Sequence, residues 1–111
     1  SSELLNKFEH LYKRATTVTA CGFYGPQGRR LRASNTFEDF IGVISSFRHK
    51  HFRVTNLEME TSGIYGFGKI LGHHCLSINA VLADRQRNTF STNPGKVVKK
   101  MIEQSLEVIT Q

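Results

Sequence analysis

Helical and strand-like periodicities alternate along this chain from one end to the other, and few architectures accommodate that alternation. Leu4, Leu5, Phe8, Leu11 and Tyr12 recur at helical spacing and place a first helix over residues 3–15. The run Thr16, Thr17, Val18, Thr19 follows. Its β-branched side chains are stiff at χ1 and suit a pleated strand. Thr36, with Asp39 three residues on, resembles a capping box, and Phe37, Phe40, Ile41, Ile44 and Phe47 mark one face of a second helix. A short strand over residues 54–57 leads into a third helix that closes near Gly72, a natural left-handed C′ residue. Residues 75–83, with Ile78, Val81 and Leu82, read as a central strand buried on both faces. Asn93 as cap and Pro94 at the first helical position begin a last helix striped by Val97, Val98, Met101, Ile102, Val108 and Ile109. Helix, strand, helix, strand, helix, strand, helix predicts an α/β fold, a layered sandwich with a mostly parallel central sheet flanked by helices.

At 111 residues the chain is one domain or a piece of one, with no internal repeat or linker. The absence of an initiator Met and a helix that begins at once predict a start in mid-protein. A hydrophobic fraction of 39% with 22% charged residues rules out wholesale disorder. Gly63, Gly66 and Gly68 lie inside the third helix. Each costs roughly 1 kcal/mol relative to Ala, which predicts a face pressed against a sheet. Cys21 and Cys75 sit in apolar stretches, the pattern of buried reduced thiols and a cytoplasmic setting. No apolar run approaches the ~20 residues that span a bilayer, so no membrane association is expected.

The formal charge of +6 brings nucleic acids, anionic membranes and phosphorylated small molecules into consideration. The basic clusters, residues 28–32, 48–53 and 96–100, are scattered over different elements, and no standard nucleic-acid-binding signature accompanies them. A basic nucleic-acid-binding module is therefore the losing alternative. His73, His74 and Cys75, with His49 and His51, do not make a metal site: neighbouring side chains on a strand point apart and no Cys-x-x-Cys supports them. No metal is expected.

In layered α/β folds ligands bind beyond the carboxyl ends of the strands, and a polar cluster follows each expected strand. In residues 23–29, Gln27 and Arg29 alternate across Gly28 and can point to one side of an extended loop. An amide both donates and accepts while a guanidinium only donates, a pair that suits a pyrimidine dione; surface charge on a turn is the plainer account. Glu58 and Glu60 flank Met59 at a helix start. There carboxylates interact well with the dipole, or accept from vicinal sugar hydroxyls while the Met packs on the sugar face. Asp84 and Arg85 follow the third strand, as an ion pair at a sheet edge or as a general acid with an electrostatic stabiliser.

With the clusters in place a family resemblance emerges. Phe23-Tyr24-Gly25-Pro26-Gln27-Gly28-Arg29 resembles the uracil-recognition loop of uridine phosphorylases, with Phe23, Gln27 and Arg29 at base-binding positions. Asn56-Leu57-Glu58-Met59-Glu60-Thr61-Ser62 resembles the ribose-binding Glu-Met-Glu motif of nucleoside phosphorylases, with Glu60 on the sugar hydroxyls and Met59 against the ribose. The resemblance covers essentially the whole chain, the first helix least distinctively. It implies that residues 1–111 are the C-terminal part of a phosphorylase domain whose phosphate-binding part lies upstream, so that the isolated chain is inactive. It also implies a pentosyltransferase that converts uridine to uracil and ribose 1-phosphate, with inorganic phosphate as co-substrate, no other cofactor, and a homo-oligomeric parent. Arg29, Asp84 and Arg85 fall at its catalytic positions. Where uridine phosphorylases resemble Asn-Arg this chain has Asp84-Arg85, which leaves a purine nucleoside phosphorylase as an alternative. Gln27 and Arg29 favour uracil.

Overall fold

Strand pairing, which the sequence does not encode locally, decides where the polar clusters go. The computed structural model describes residues 1–34 and 38–111, so Thr36 and Phe37, the expected opening of the second helix, lie outside the described residues. Among the described residues the chain is mixed α/β, with four helices, a two-stranded parallel sheet and a two-stranded antiparallel ladder. It divides into two compact units, Ala15–Cys75 and the pair of segments Ser1–Arg14 and Leu76–Gln111.

In the Ala15–Cys75 unit the β-branched run forms β1 (Thr16–Thr19) and pairs in parallel with β2 (Val54–Glu58). Thr17 lies opposite Asn56, Val18 opposite Leu57 and Thr19 opposite Glu58, with an irregularity between Thr16 and Thr17. Between the strands runs α2 (Phe40–Ser46), capped by Asp39, whose Oδ1 accepts from the Gly42 amide at 2.9 Å. After β2 comes α3 (Thr61–Leu71), which ends as expected at Gly72, with φ of 75°. The His73 amide donates back to the Gly68 carbonyl at 2.8 Å, closing the helix end.

The three helix glycines do not form one packed face. Gly68 is buried, and the space a Cβ would need there is filled by the Cys75 thiol, whereas Gly63 and Gly66 have nothing within 4 Å. Helix α3 approaches β1 through its first turn instead, where the Ser62 amide donates to Thr19 Oγ1 at 3.0 Å. Neither cysteine is buried as expected: Cys21 is exposed, Cys75 is half-buried, and neither forms a disulfide.

In the other unit, α1 (Ser2–Phe8) is shorter than its apolar spacing predicts. The Leu11 and Tyr12 amides both donate to the Phe8 carbonyl at 3.0 Å, and the chain turns back. Arg14 thereby reaches Asn6 Oδ1 at 3.1 Å and Glu9 Oε2 at 3.0 Å. A continuous helix would set residues 6 and 14 about 12 Å apart along its axis. Tertiary contact sets the length of so short a helix. The Tyr12 hydroxyl donates at 3.1 Å to the Met101 carbonyl of α4 (Pro94–Thr110). Asn93 caps α4 as expected, its Oδ1 accepting from the Lys96 amide at 3.0 Å, with Pro94 in the first turn.

The apolar run at residues 75–83 is not a central strand. Only its last residue enters β3 (Ala83–Asp84), which pairs antiparallel with β4 (Thr89–Phe90). A strand exists through its ladder, and among the described residues no neighbour pairs with residues 75–82 beyond the bond from the Ser91 amide to the Leu82 carbonyl, 2.8 Å. Apolarity reports that faces need covering, not which strand supplies the hydrogen bonds.

Burial is correspondingly thin. Among the described residues only Phe8 and Ala20 are buried apolar side chains. Ile64, Phe67, Ile70 and Leu71 of α3 and Ile102, Leu106 and Ile109 of α4 are all exposed. The accessible surface is 8994 Å², against about 6,200 Å² for a folded monomer of this mass. No helix among the described residues is long and apolar enough to cross a membrane.

The cap gives a direct test of α4. Asn93→Ala removes the acceptor for the Lys96 amide and should cost about 1 kcal/mol of stability, read as a lower urea midpoint. Asn93→Asp keeps the acceptor and should restore most of it. Equal midpoints for all three proteins would show that the cap contributes nothing to α4.

Candidate functional site

Parallel pairing of β1 with β2 brings the carboxyl ends of both strands to one edge, and the segments beyond that edge contain two of the three polar clusters. Thr19 and Glu58 are register partners, and the Ala20 amide extends the ladder by donating to the Glu58 carbonyl at 2.8 Å. Residues 21–29 leave from one strand and Met59-Glu60 from the other.

The first cluster is a compact turn, not the extended loop expected. Residues Gly25–Gln27 make a single 3-10 turn with Pro26 in its first positions. Gly28 follows at φ of 67°, the left-handed region where glycine carries no Cβ penalty. A side chain there would also strike Phe40. The Tyr24 carbonyl accepts from the Gln27 and Arg29 amides at 3.2 and 2.8 Å, closing the turn. Gln27 and Arg29 do meet, by folding rather than by alternation. Arg29 Nη1 donates to Gln27 Oε1 at 2.5 Å and to the Phe23 carbonyl at 2.7 Å. The Arg29 guanidinium lies 3.7 Å from the centroid of the Phe23 ring, a cation–π contact, and Phe23 meets Tyr24 edge-on at 5.3 Å. Phe23 is half exposed while Gln27 is buried. The turn thus presents an aromatic face backed by an oriented cation.

The second cluster divides by role. Glu58 Oε2 accepts from the Glu60 and Thr61 amides at 2.6 and 2.7 Å, and its Oε1 accepts from the Thr19 hydroxyl. Burial alone would raise its pKa. The bonds from Thr19, the Glu60 and Thr61 amides and the Thr61 hydroxyl outweigh that and lower it from 4.5 to about 2. Met59 and Glu60 are exposed, and Glu60 makes no side-chain capping bond to α3. Thr19 and Thr61 escape the sequence reading. A threonine ending a β-branched run is a visible signal, but its meaning depends on the register of β1 against β2.

The third cluster belongs to the other unit. Asp84 ends β3, and its Oδ1 accepts from the Gln86 and Arg87 amides at 3.0 and 3.1 Å. Arg87 pairs with it at 3.6 Å. Asn88, with φ of 51°, completes the turn into β4. Arg85 opens that turn and is partly covered. Asp84 therefore holds a hairpin by ordinary turn chemistry.

Among the described residues no group of three or more His, Cys, Asp or Glu side chains is placed to hold a metal ion. Comparison with protein-family models, with curated proteins and with solved structures finds no match to this chain.

The depressed pKa of Glu58 carries a stability consequence with a definite sign. Its folded value, about 2, lies below the ordinary 4.5. The contribution is thus fully present above about pH 4.5 and is lost as pH falls toward 2. Urea denaturation at pH 6 and pH 3 should show a larger acid loss for the natural protein than for Glu58→Gln, which has no proton to take up. Equal acid losses would remove Glu58 from the acid response.

Proposed function

We propose that this chain supplies the base and ribose contacts of a nucleoside phosphorylase of the uridine type. The full-length protein would then cleave uridine with inorganic phosphate to uracil and ribose 1-phosphate. The observation that carries this reading is the parallel β1–β2 pair, which sets the Phe23–Arg29 turn and the Met59-Glu60 pair beyond the same strand ends. Strand ends of this kind are where α/β folds bind ligands.

The chemistry follows from the groups. Phosphate attacks the anomeric carbon as the glycosidic bond breaks, and negative charge develops on the departing uracil. The Arg29 guanidinium, already oriented by Gln27 and the Phe23 carbonyl, opposes that charge, while Phe23 offers a ring for the base to lie against. Glu60 accepts from the ribose hydroxyls and Met59 covers the apolar face of the sugar. The corresponding fold is the layered sandwich with a mostly parallel sheet. One feature supports it: the exposed apolar residues of α3, which a sheet face would cover.

The decisive assay is phosphate-dependent release of uracil from uridine by the full-length protein, with inosine as competing substrate and residues 1–111 alone as control. Uracil release by the full-length protein supports the assignment, preference for inosine moves it to a purine enzyme, and inertness toward both removes it. Preorganised donors aimed at developing charge contribute about 3 kcal/mol, so Arg29→Ala should lower kcat on the order of 100-fold. Near-natural turnover by a folded Arg29→Ala protein would take Arg29 out of the mechanism.

A further inference from the structure

We infer that Thr19 and Glu58 form a clamp that positions Met59 and Glu60, so that Glu58 acts on the ribose only through Glu60. This rests on the uridine phosphorylase reading and divides labour within its ribose motif. The argument is a count of hydrogen bonds. A carboxylate has about four acceptor positions over two oxygens. On Glu58 these receive the Thr19 hydroxyl, the Glu60 amide at 2.6 Å, the Thr61 amide at 2.7 Å and the Thr61 hydroxyl. A vicinal diol would have to displace backbone amides that have no better acceptor at the start of α3. Thr19 closes the circuit. Its hydroxyl donates to Glu58 and accepts from the Ser62 amide at 3.0 Å, tying the ends of β1 and β2 to the first turn of α3.

Three consecutive amides, those of Glu60, Thr61 and Ser62, are thus held by two side chains. The chain between Glu58 and Thr61 has little freedom left, and Met59 and Glu60 are the two residues it presents outward. Glu60 has a carboxylate not spent on capping, so it is the acceptor open to a sugar. The same saturation closes the start of α3 to an anionic ligand: the amides that would bind phosphate there are already engaged.

The test is a double-mutant cycle in the full-length protein between Glu58→Ala and Glu60→Ala, with backbone amide hydrogen exchange at residues 60–62. Glu58→Ala should accelerate exchange at Glu60 and Thr61 and raise the uridine KM about tenfold, with free uracil binding unchanged. In the Glu60→Ala background the same substitution should leave KM where Glu60→Ala alone puts it, because nothing remains to be positioned. Glu58→Gln, which keeps an acceptor oxygen, should recover part of the loss. Multiplicative effects on KM in the cycle would make Glu58 a direct sugar ligand and overturn the clamp, as would unchanged exchange in Glu58→Ala. An active natural protein with a multiplicative cycle removes the clamp alone; a natural protein inert toward uridine removes the functional reading and the ribose role with it.

Discussion

The register of β1 against β2 is the constraint from which the candidate site follows. Setting Thr19 opposite Glu58 places a hydroxyl within reach of a carboxylate at the one level where both strands end. Moving the pairing by one residue would turn every side chain of a strand to the opposite face. Thr19 would then lose Glu58, and the Ser62 amide in the first turn of α3 would lose Thr19 as its acceptor. The Thr17 hydroxyl donating to Asn56 Oδ1 at 2.8 Å and the Thr16 amide donating to Thr55 Oγ1 at 3.0 Å hold that register from the other end. Side-chain bonds between strands matter more in so short a sheet, where a ladder of four and five residues has no third strand to brace it.

What was legible in the sequence was local chemistry, and what was not was pairing. Thr16–Thr19 reads as a strand because its χ1 angles leave little else, Asn93-Pro94 reads as a helix start because cap and φ are both built in, and Gly72 reads as a helix end because the αL position favours glycine. These are properties of a few neighbouring residues. The run at 75–83 failed by the opposite logic, since its apolar side chains report a need for cover while the ladder depends on residues far away in sequence. The first helix failed likewise: Leu11 and Tyr12 keep the helical spacing, but Tyr12 is drawn to the Met101 carbonyl of α4. The site shows the same division. Gln27 with Arg29 and Glu58 with Glu60 were visible as residue types, whereas Thr19, visible only as the end of a strand, had no role until the register gave it a partner.

Asp84 illustrates how turn chemistry limits inference from residue type. Its aspartate sets it apart from the uridine phosphorylase pattern and invites a general acid. Yet accepting from two successive amides just downstream, with Asn88 in the left-handed region, is what an aspartate does at the mouth of a tight hairpin. An acceptor already taken up by two amides and Arg87 is committed to holding the turn. The geometry of this hairpin therefore weakens the one residue that pointed toward purines.

The thin burial bears on how far the site can act alone. Electrostatic stabilisation of a departing base requires a site from which water is excluded, since a guanidinium in open solvent acts through a high dielectric and is worth little. Phe23 is half exposed, and the α3 residues Ile64, Phe67, Ile70 and Leu71 stand in solvent. Orientation and desolvation are separable here. The turn, the register and the Thr19–Glu58 bonds provide orientation within one short segment of chain, through contacts that are local once the strands pair. Desolvation needs area, and area has to come from whatever covers the exposed apolar faces. Nothing in the turn chemistry around Arg29 can substitute for it, so this geometry can orient the Arg29 and Glu60 side chains while leaving them in a high dielectric until those faces are covered.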